Sequence, residues 1–127
     1  MNLLLDTSAF IWWVTEDSRL GPQARSAVAD PDRRVYVSAV SAWEIAIKRS
    51  LGKLRLEGDV GMLVEREDFD ELPIDIVHAL EAESLPPHHR DPFDRMLIAQ
   101  SRHEGLVVLT GDRVFTRYDV ELLPADA

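Results

Sequence analysis

The sequence contains no cysteine. Disulfide scaffolds, thiol nucleophiles and thiolate metal sites are therefore excluded. No apolar run approaches the roughly 18–20 residues that a membrane-spanning helix needs. The start, Met1-Asn2-Leu3-Leu4-Leu5-Asp6, has no basic stretch and meets an acid too early for a signal peptide. No membrane partner is expected, and the expected location is cytoplasmic. Low-complexity segments, internal repeats and linkers are missing as well. What is there is a chain of 127 residues, 46% hydrophobic and 29% charged. That balance suits one globular domain over residues 1–127 and argues against disorder.

The net charge is −9, which taken alone speaks against a polyanionic partner. Its distribution changes that reading. Ten acids and only one base, Arg66, fall between Glu57 and Glu83, so this segment holds the whole excess. The other hundred residues carry 13 acids and 13 bases and are neutral. An acidic flank of this kind reads as a solvated face, and it leaves nucleic acid open as a ligand elsewhere.

Strand and helix signals alternate along the chain. Asn2–Leu5 is a short apolar run ending in Asp-Thr-Ser and reads as a buried strand. A helix follows over Ser8–Val14, and Gly21-Pro22 opens an alanine-rich helix to Ala29. Val35-Tyr36-Val37 is a strand by composition. Ser38 then caps a helix to about Leu51, stopped by Gly52. Asp59–Asp68 and Asp75–Glu83 read as helices around a short strand near Leu72-Pro73-Ile74. Asp91 suits the N-cap and Pro92 the first turn of a helix ending at Gly105. Leu106–Leu109 is the clearest buried strand. The alternation predicts an α/β domain with a mainly parallel sheet.

Acids stand at the ends of these elements. Asp6 follows the first strand, and Asp112 follows Leu106–Leu109 after Thr110-Gly111. In an open parallel sheet, ligands gather outside the carboxyl ends of the strands. Glu44 and Asp94 lie near the starts of helices that could deliver them to the same edge. Four hard oxygen donors suit Mg²⁺, with Mn²⁺ able to substitute, and such a set serves phosphodiester hydrolysis. Each acid also has a local explanation. Asp6 can cap a helix. Glu44 can form a capping box with Ser41 or pair with Lys48, Asp94 favours a helix start, and Asp112 fits turn chemistry.

The blocks Leu4-Leu5-Asp6-Thr7-Ser8-Ala9, Ser41-Ala42-Trp43-Glu44-Ile45, His89-Arg90-Asp91-Pro92-Phe93-Asp94-Arg95-Met96-Leu97-Ile98-Ala99-Gln100 and Leu109-Thr110-Gly111-Asp112 together resemble the PIN domain. More narrowly, the chain resembles VapC-type ribonuclease toxins of bacterial toxin–antitoxin pairs. The resemblance covers roughly residues 2–118, and the third block is its most specific part. It implies a three-layer α/β/α fold, Mg²⁺- or Mn²⁺-dependent endonucleolytic cleavage of RNA, a homodimer, and inhibition by a cognate antitoxin. It also implies that Asp6, Glu44, Asp94 and Asp112 form the catalytic, metal-holding quartet. Thr7, Ser8, Thr110 and Asp91 would then support those carboxylates.

Lys48 and Arg49, within a basic run with Lys53 and Arg55, are candidate RNA contacts together with Arg90, Arg95 and Arg113. Their alternative is ordinary helix-end charge. His88 and His89 read as exposed polar residues of a Pro-rich loop rather than as catalysts. Trp12, Trp13 and Trp43 read as core or dimer interface rather than as base-stacking platforms. Two phosphotransfer readings, a HAD-type enzyme and a receiver-type switch, also place an Asp after the first strand. The first wants an acid two residues on, where Ser8 stands; the second wants a late lysine, and the last here is Lys53.

Overall fold

The computed structural model describes residues 1–127. Its elements are β1 (Leu3–Leu5), α1 (Thr7–Val14), α2 (Pro22–Ala29), β2 (Val35–Ser38), α3 (Ala39–Ser50), α4 (Val60–Arg66), β3 (Asp70–Leu72), α5 (Ile76–Ser84), α6 (Pro92–Glu104), β4 (Val107–Thr110) and β5 (Leu122–Pro124). A 3₁₀ turn, Arg113–Arg117, separates the last two strands. All strands pair in parallel in the order β3-β2-β1-β4-β5. No helix is long and apolar enough to cross a membrane.

Side-chain alternation along the strands builds two cores. Leu3, Leu5, Val35, Val37, Val107 and Leu109 face one side, against Phe10, Ala24, Val28 and Leu63 from α1, α2 and α4. Leu4 and Val108 face the other, against Leu97 and Ile98 of α6 and Phe115 and Tyr118. Helix α3 joins both, giving Ile45 to the first core and Val40 to the second. Both faces of the sheet are thus covered, which is why Leu3–Leu5 and Leu106–Leu109 are unbroken apolar runs rather than alternating ones. The result is the expected three-layer α/β/α arrangement.

Local signals set the helix ends. Ser38 Oγ accepts the Val40 N–H at 3.1 Å and starts α3. Beyond α3, Gly52 adopts φ +70°, the left-handed conformation that glycine takes without a Cβ clash. Asp91 caps α6 with Pro92 in the first turn, and Gly105 closes it at φ +68°. Two strands differ from the sequence expectation. β3 ends at Leu72, because Pro73 has no N–H to continue a ladder. β5 carried no strand signal; it is three residues long, pairs only with β4, and tolerates Pro124 because it lies at the sheet edge.

Helix α2 docks on the carboxyl-terminal segment. The N–H groups of Gly21, Gln23 and Ala24 donate to main-chain oxygens of Ala125 and Ala127 at 2.8–3.2 Å. A Cβ at Gly21 would overlap the main-chain oxygens of Asp126 and Ala127, although its φ of −75° suits any residue. Gly21→Ala is therefore expected to destabilise by about 1–3 kcal/mol through overpacking alone. Urea unfolding checks this, and a loss below about 0.5 kcal/mol would show that the carboxyl-terminal segment yields freely.

Candidate active site

The strand order reverses between β1 and β4, and the crevice outside their carboxyl ends is the natural ligand position of such a sheet. Asp6 leaves β1 there and Asp112 leaves β4. α3 brings Glu44 from the β2 side, and the first turn of α6 brings Asp94. Together with Thr7, Ser8, Asp91 and Lys48 these residues line a cleft of about 290 Å³. A larger groove of about 550 Å³ near the amino end of β4 contains no comparable cluster of acids.

The supports of the four carboxylates differ. Asp6 Oδ1 accepts the Ala9 N–H at 2.8 Å, so it does cap α1, while Oδ2 accepts from Thr110 Oγ1 at 2.6 Å. Thr110 Oγ1 in turn accepts the Asp112 N–H at 3.0 Å, tying two acids through one hydroxyl. Glu44 Oε1 accepts from Thr7 Oγ1 at 2.7 Å, and its Oε2 pairs with Lys48 Nζ at 2.6 Å. Ser41, fully buried, lies 2.9 Å from Thr7 Oγ1. Because Thr7 gives its one proton to Glu44, Ser41 donates to Thr7 and completes a hydroxyl relay. Asp112 Oδ1 accepts the Val114 N–H at 2.9 Å. Asp91 turns its carboxylate to the N–H groups of Phe93 and Asp94 and caps α6. Ser8 lines the cleft.

His89 is where the sequence reading fell short. Expected on an exposed loop, it inserts its ring into the cluster, with Nε2 2.9 Å from Asp112 Oδ2 and 3.0 Å from Asp94 Oδ2. His88 does stay exposed, its ring against Tyr118. The signal that could have found His89 is its distance of five residues from Asp94 across the capping turn.

The candidate RNA contacts divide. Lys48 faces the cleft, and Arg90 and Arg113 are exposed. Arg95 does not reach outward: its guanidinium donates to the carbonyls of Ala82, Leu85, Pro86 and His89 and clamps the loop before α6. Arg49 turns away to the Gly58 carbonyl at 2.7 Å. Of the tryptophans, Trp12 and Trp13 are half-buried against the first core. Trp43 is 61% exposed and meets Phe93 edge-on, so it is not a core residue.

Crowding of acids in a buried crevice disfavours their charged forms. Burial pushes the Asp6 carboxyl up to about 6, against the lowering effect of Thr110 and the Ala9 N–H. Asp94 is pushed up to about 7, by burial first and then by Asp91, with His89 opposing. The Lys48 ammonium is held protonated by Glu44. Both acids thus bind protons more tightly folded than at their ordinary 3.8, so the folded chain carries extra protons between 3.8 and about 7. Stability is fully present below that window and declines as pH rises through it, at no more than about 1.4 kcal/mol per pH unit for each acid. The metal-free protein should melt higher at pH 5 than at pH 8. Asp94→Asn should raise the pH 8 midpoint and shrink the gain on acidification. Superimposable melting curves for the two proteins at both pH values would show that Asp94 bears no such strain.

A family model for the PIN domain matches residues 3–121. No curated protein matches the sequence. Among solved structures, the chain is similar to one from VapBC2 of Rickettsia felis bound to a promoter DNA fragment, with a TM-score of 0.73 at 10% identity over 97% of this chain and 98% of that one. It is similar also to a chain of DNA-bound VapBC from Salmonella typhimurium, with a TM-score of 0.67 at 19% identity over 97% of each chain. A chain of FitAcB from Neisseria gonorrhoeae gives a TM-score of 0.59 at 22% identity, again over 97% of each. These likenesses are of fold. With the family model spanning nearly its whole length, the chain belongs to the PIN-domain family.

Proposed function

We propose that this protein is a divalent-metal-dependent endoribonuclease and the toxin of a toxin–antitoxin pair, with Asp6, Glu44, Asp94 and Asp112 as its working acids. The observation that carries the reading is the convergence of these four carboxylates, from four separate elements, on one cleft at the strand-order reversal. The quartet offers hard carboxylate oxygens to a cation, with His89 Nε2 within 4.8 Å of the Asp94 and Asp112 oxygens, and burial raises the Asp6 and Asp94 carboxyls, so an added positive charge would favour their ionised forms. Asp6, Asp94 and Asp112 would hold Mg²⁺ or Mn²⁺, with Glu44 completing the set or orienting water. Such an ion, when bound, supplies water activation and neutralises charge developing on the phosphodiester.

The chain's own residues do the rest. Thr110 fixes the Asp6 carboxylate and Thr7 fixes that of Glu44, so neither has to reorient when ligand arrives. Lys48, at the mouth of the cleft, offers an ammonium to a phosphate oxygen, with Arg90 and Arg113 as exposed contacts beyond it. Partners follow the same reading. An exposed apolar row on α5, with Ile76 80%, Leu80 60% and Val77 42% exposed, supports a homodimer. The solved relatives are VapBC and FitAcB assemblies, which supports a cognate antitoxin for this chain.

The test is cleavage of RNA by the purified chain. EDTA should stop cutting, and excess Mg²⁺ or Mn²⁺ should restore it. Asp6→Asn should lower the rate by at least about 100-fold while leaving the far-ultraviolet dichroism unchanged, because the amide keeps the shape and loses the charge. Expression of the wild-type chain without a partner should arrest bacterial growth, with discrete RNA cuts preceding general decay. Cutting that persists in EDTA and in Asp6→Asn would overturn the mechanism. Acid-labile phosphate on Asp6, with no RNA cleavage under any metal, would transfer the site to phosphotransfer chemistry.

A further inference from the structure

We propose that His89 is the positioning residue of the acidic cluster: its Nε2–H donates to Asp112 and lies against Asp94, holding the two acids at a fixed spacing. In this role it is neither a metal ligand nor an acid–base catalyst. The inference deepens the nuclease reading and rests on it for the purpose of the spacing, though not for the hydrogen bonds themselves.

The tautomer decides the matter. His89 Nδ1 accepts the Asp91 N–H at 3.2 Å, so the lone pair sits on Nδ1 and the ring proton on Nε2. A protonated Nε2 has no lone pair for a cation and none to take a proton from water. What it can do is donate: the hydrogen bond runs to Asp112 Oδ2 at 2.9 Å, and Asp94 Oδ2 lies 3.0 Å from the same nitrogen. Those acids come from different elements, one after β4 and one on α6; the N–H is hydrogen-bonded to Asp112, and Asp94 Oδ2 lies beside the same nitrogen.

The ring is also held from behind. The His89 N–H donates to Tyr118 Oη at 2.8 Å, and its carbonyl accepts from Arg95 at 3.2 Å. Its face meets Phe115 edge-on with centroids 6.0 Å apart. Asp91, which fixes Nδ1 through its N–H, also caps the turn that carries Asp94. A side chain tied at both ring nitrogens and both main-chain groups suits a spacer and not a mobile proton carrier.

Two substitutions separate the roles. His89→Gln places an N–H donor near the Nε2 position but has no imidazole to ligate or to shuttle protons; His89→Ala has neither. Calorimetric titration of the purified full chain with Mn²⁺ should give affinity about tenfold weaker for His89→Ala. For His89→Gln it should stay within about threefold of wild type. Long-range proton–nitrogen spectra of wild-type protein, labelled at histidine and free of metal, should show the Nε2–H tautomer for His89. Glutamine as damaging as alanine, or an Nδ1–H tautomer for His89, overturns the proposal. So does an alanine variant that binds Mn²⁺ as wild type does. If His89→Ala fails to fold, the glutamine variant and the spectrum still decide. If wild type binds no Mn²⁺, or Asp94→Asn binds it equally well, the metal reading fails, and the tautomer alone then judges the donor role.

Discussion

Like-charge repulsion in a buried crevice is the constraint around which this site is organised. Four carboxylates face one another there, and each is tolerable in proportion to the donors that reach it. Asp6 has a main-chain N–H and the Thr110 hydroxyl. Glu44 has Thr7 and Lys48, and Asp112 has the Val114 N–H and His89. Asp94 has only the His89 ring nitrogen at 3.0 Å, which is hydrogen-bonded to Asp112, and lies beside the capping Asp91. Burial, then the neighbouring Asp91, pushes its carboxyl up to about 7, and burial pushes that of Asp6 up to about 6.

The fold delivers these acids because of where the strand order turns. β2 lies on one side of β1 and β4 on the other, so the connections leaving β1 and β4 diverge and open a crevice between them. The same short segments carry structure and chemistry at once. Asp6 caps α1 and faces the cleft; Asp112 caps the 3₁₀ turn and faces the cleft. Capping a helix and lining the cleft are therefore compatible in one residue, and the local explanations of Asp6 and Asp112 do not exclude the proposed functional one.

This double use explains what the sequence made legible. Apolar runs, caps and stops mark β1, α3, α6 and β4, and these elements carry all four acids. Elements far from the cleft were harder to see. β5 is three residues at an edge with a proline, and its pairing is set by β4 rather than by its own pattern. Side-chain direction was least visible. Lys48 and Arg49 are neighbours on α3, yet a 100° step sends one to the cleft and the other to the Gly58 carbonyl. Arg95 sits next to Asp94, yet it serves the loop behind it. His89 looked like loop surface because its partners, Asp112 and Tyr118, lie more than twenty residues away.

Arg95 and His89 form one device when taken together. Arg95 binds four carbonyls of the segment from Ala82 to His89, and Tyr118 Oη accepts the His89 N–H while donating to the Pro86 carbonyl. The polar loop Pro86–Arg90 would otherwise be among the more mobile parts of the chain. Clamped in this way, it presents one imidazole edge to two acids and leaves His88 and Arg90 in solvent. With Arg95 and Arg49 engaged in structure and Lys48 paired with Glu44, the chain keeps only Arg90 and Arg113 of the expected contacts exposed and outside such pairs. Electrostatic attraction of a polyanion to the cleft would therefore require the acids themselves to be neutralised, so under the proposed function cation binding and RNA binding would be two stages of one charge balance.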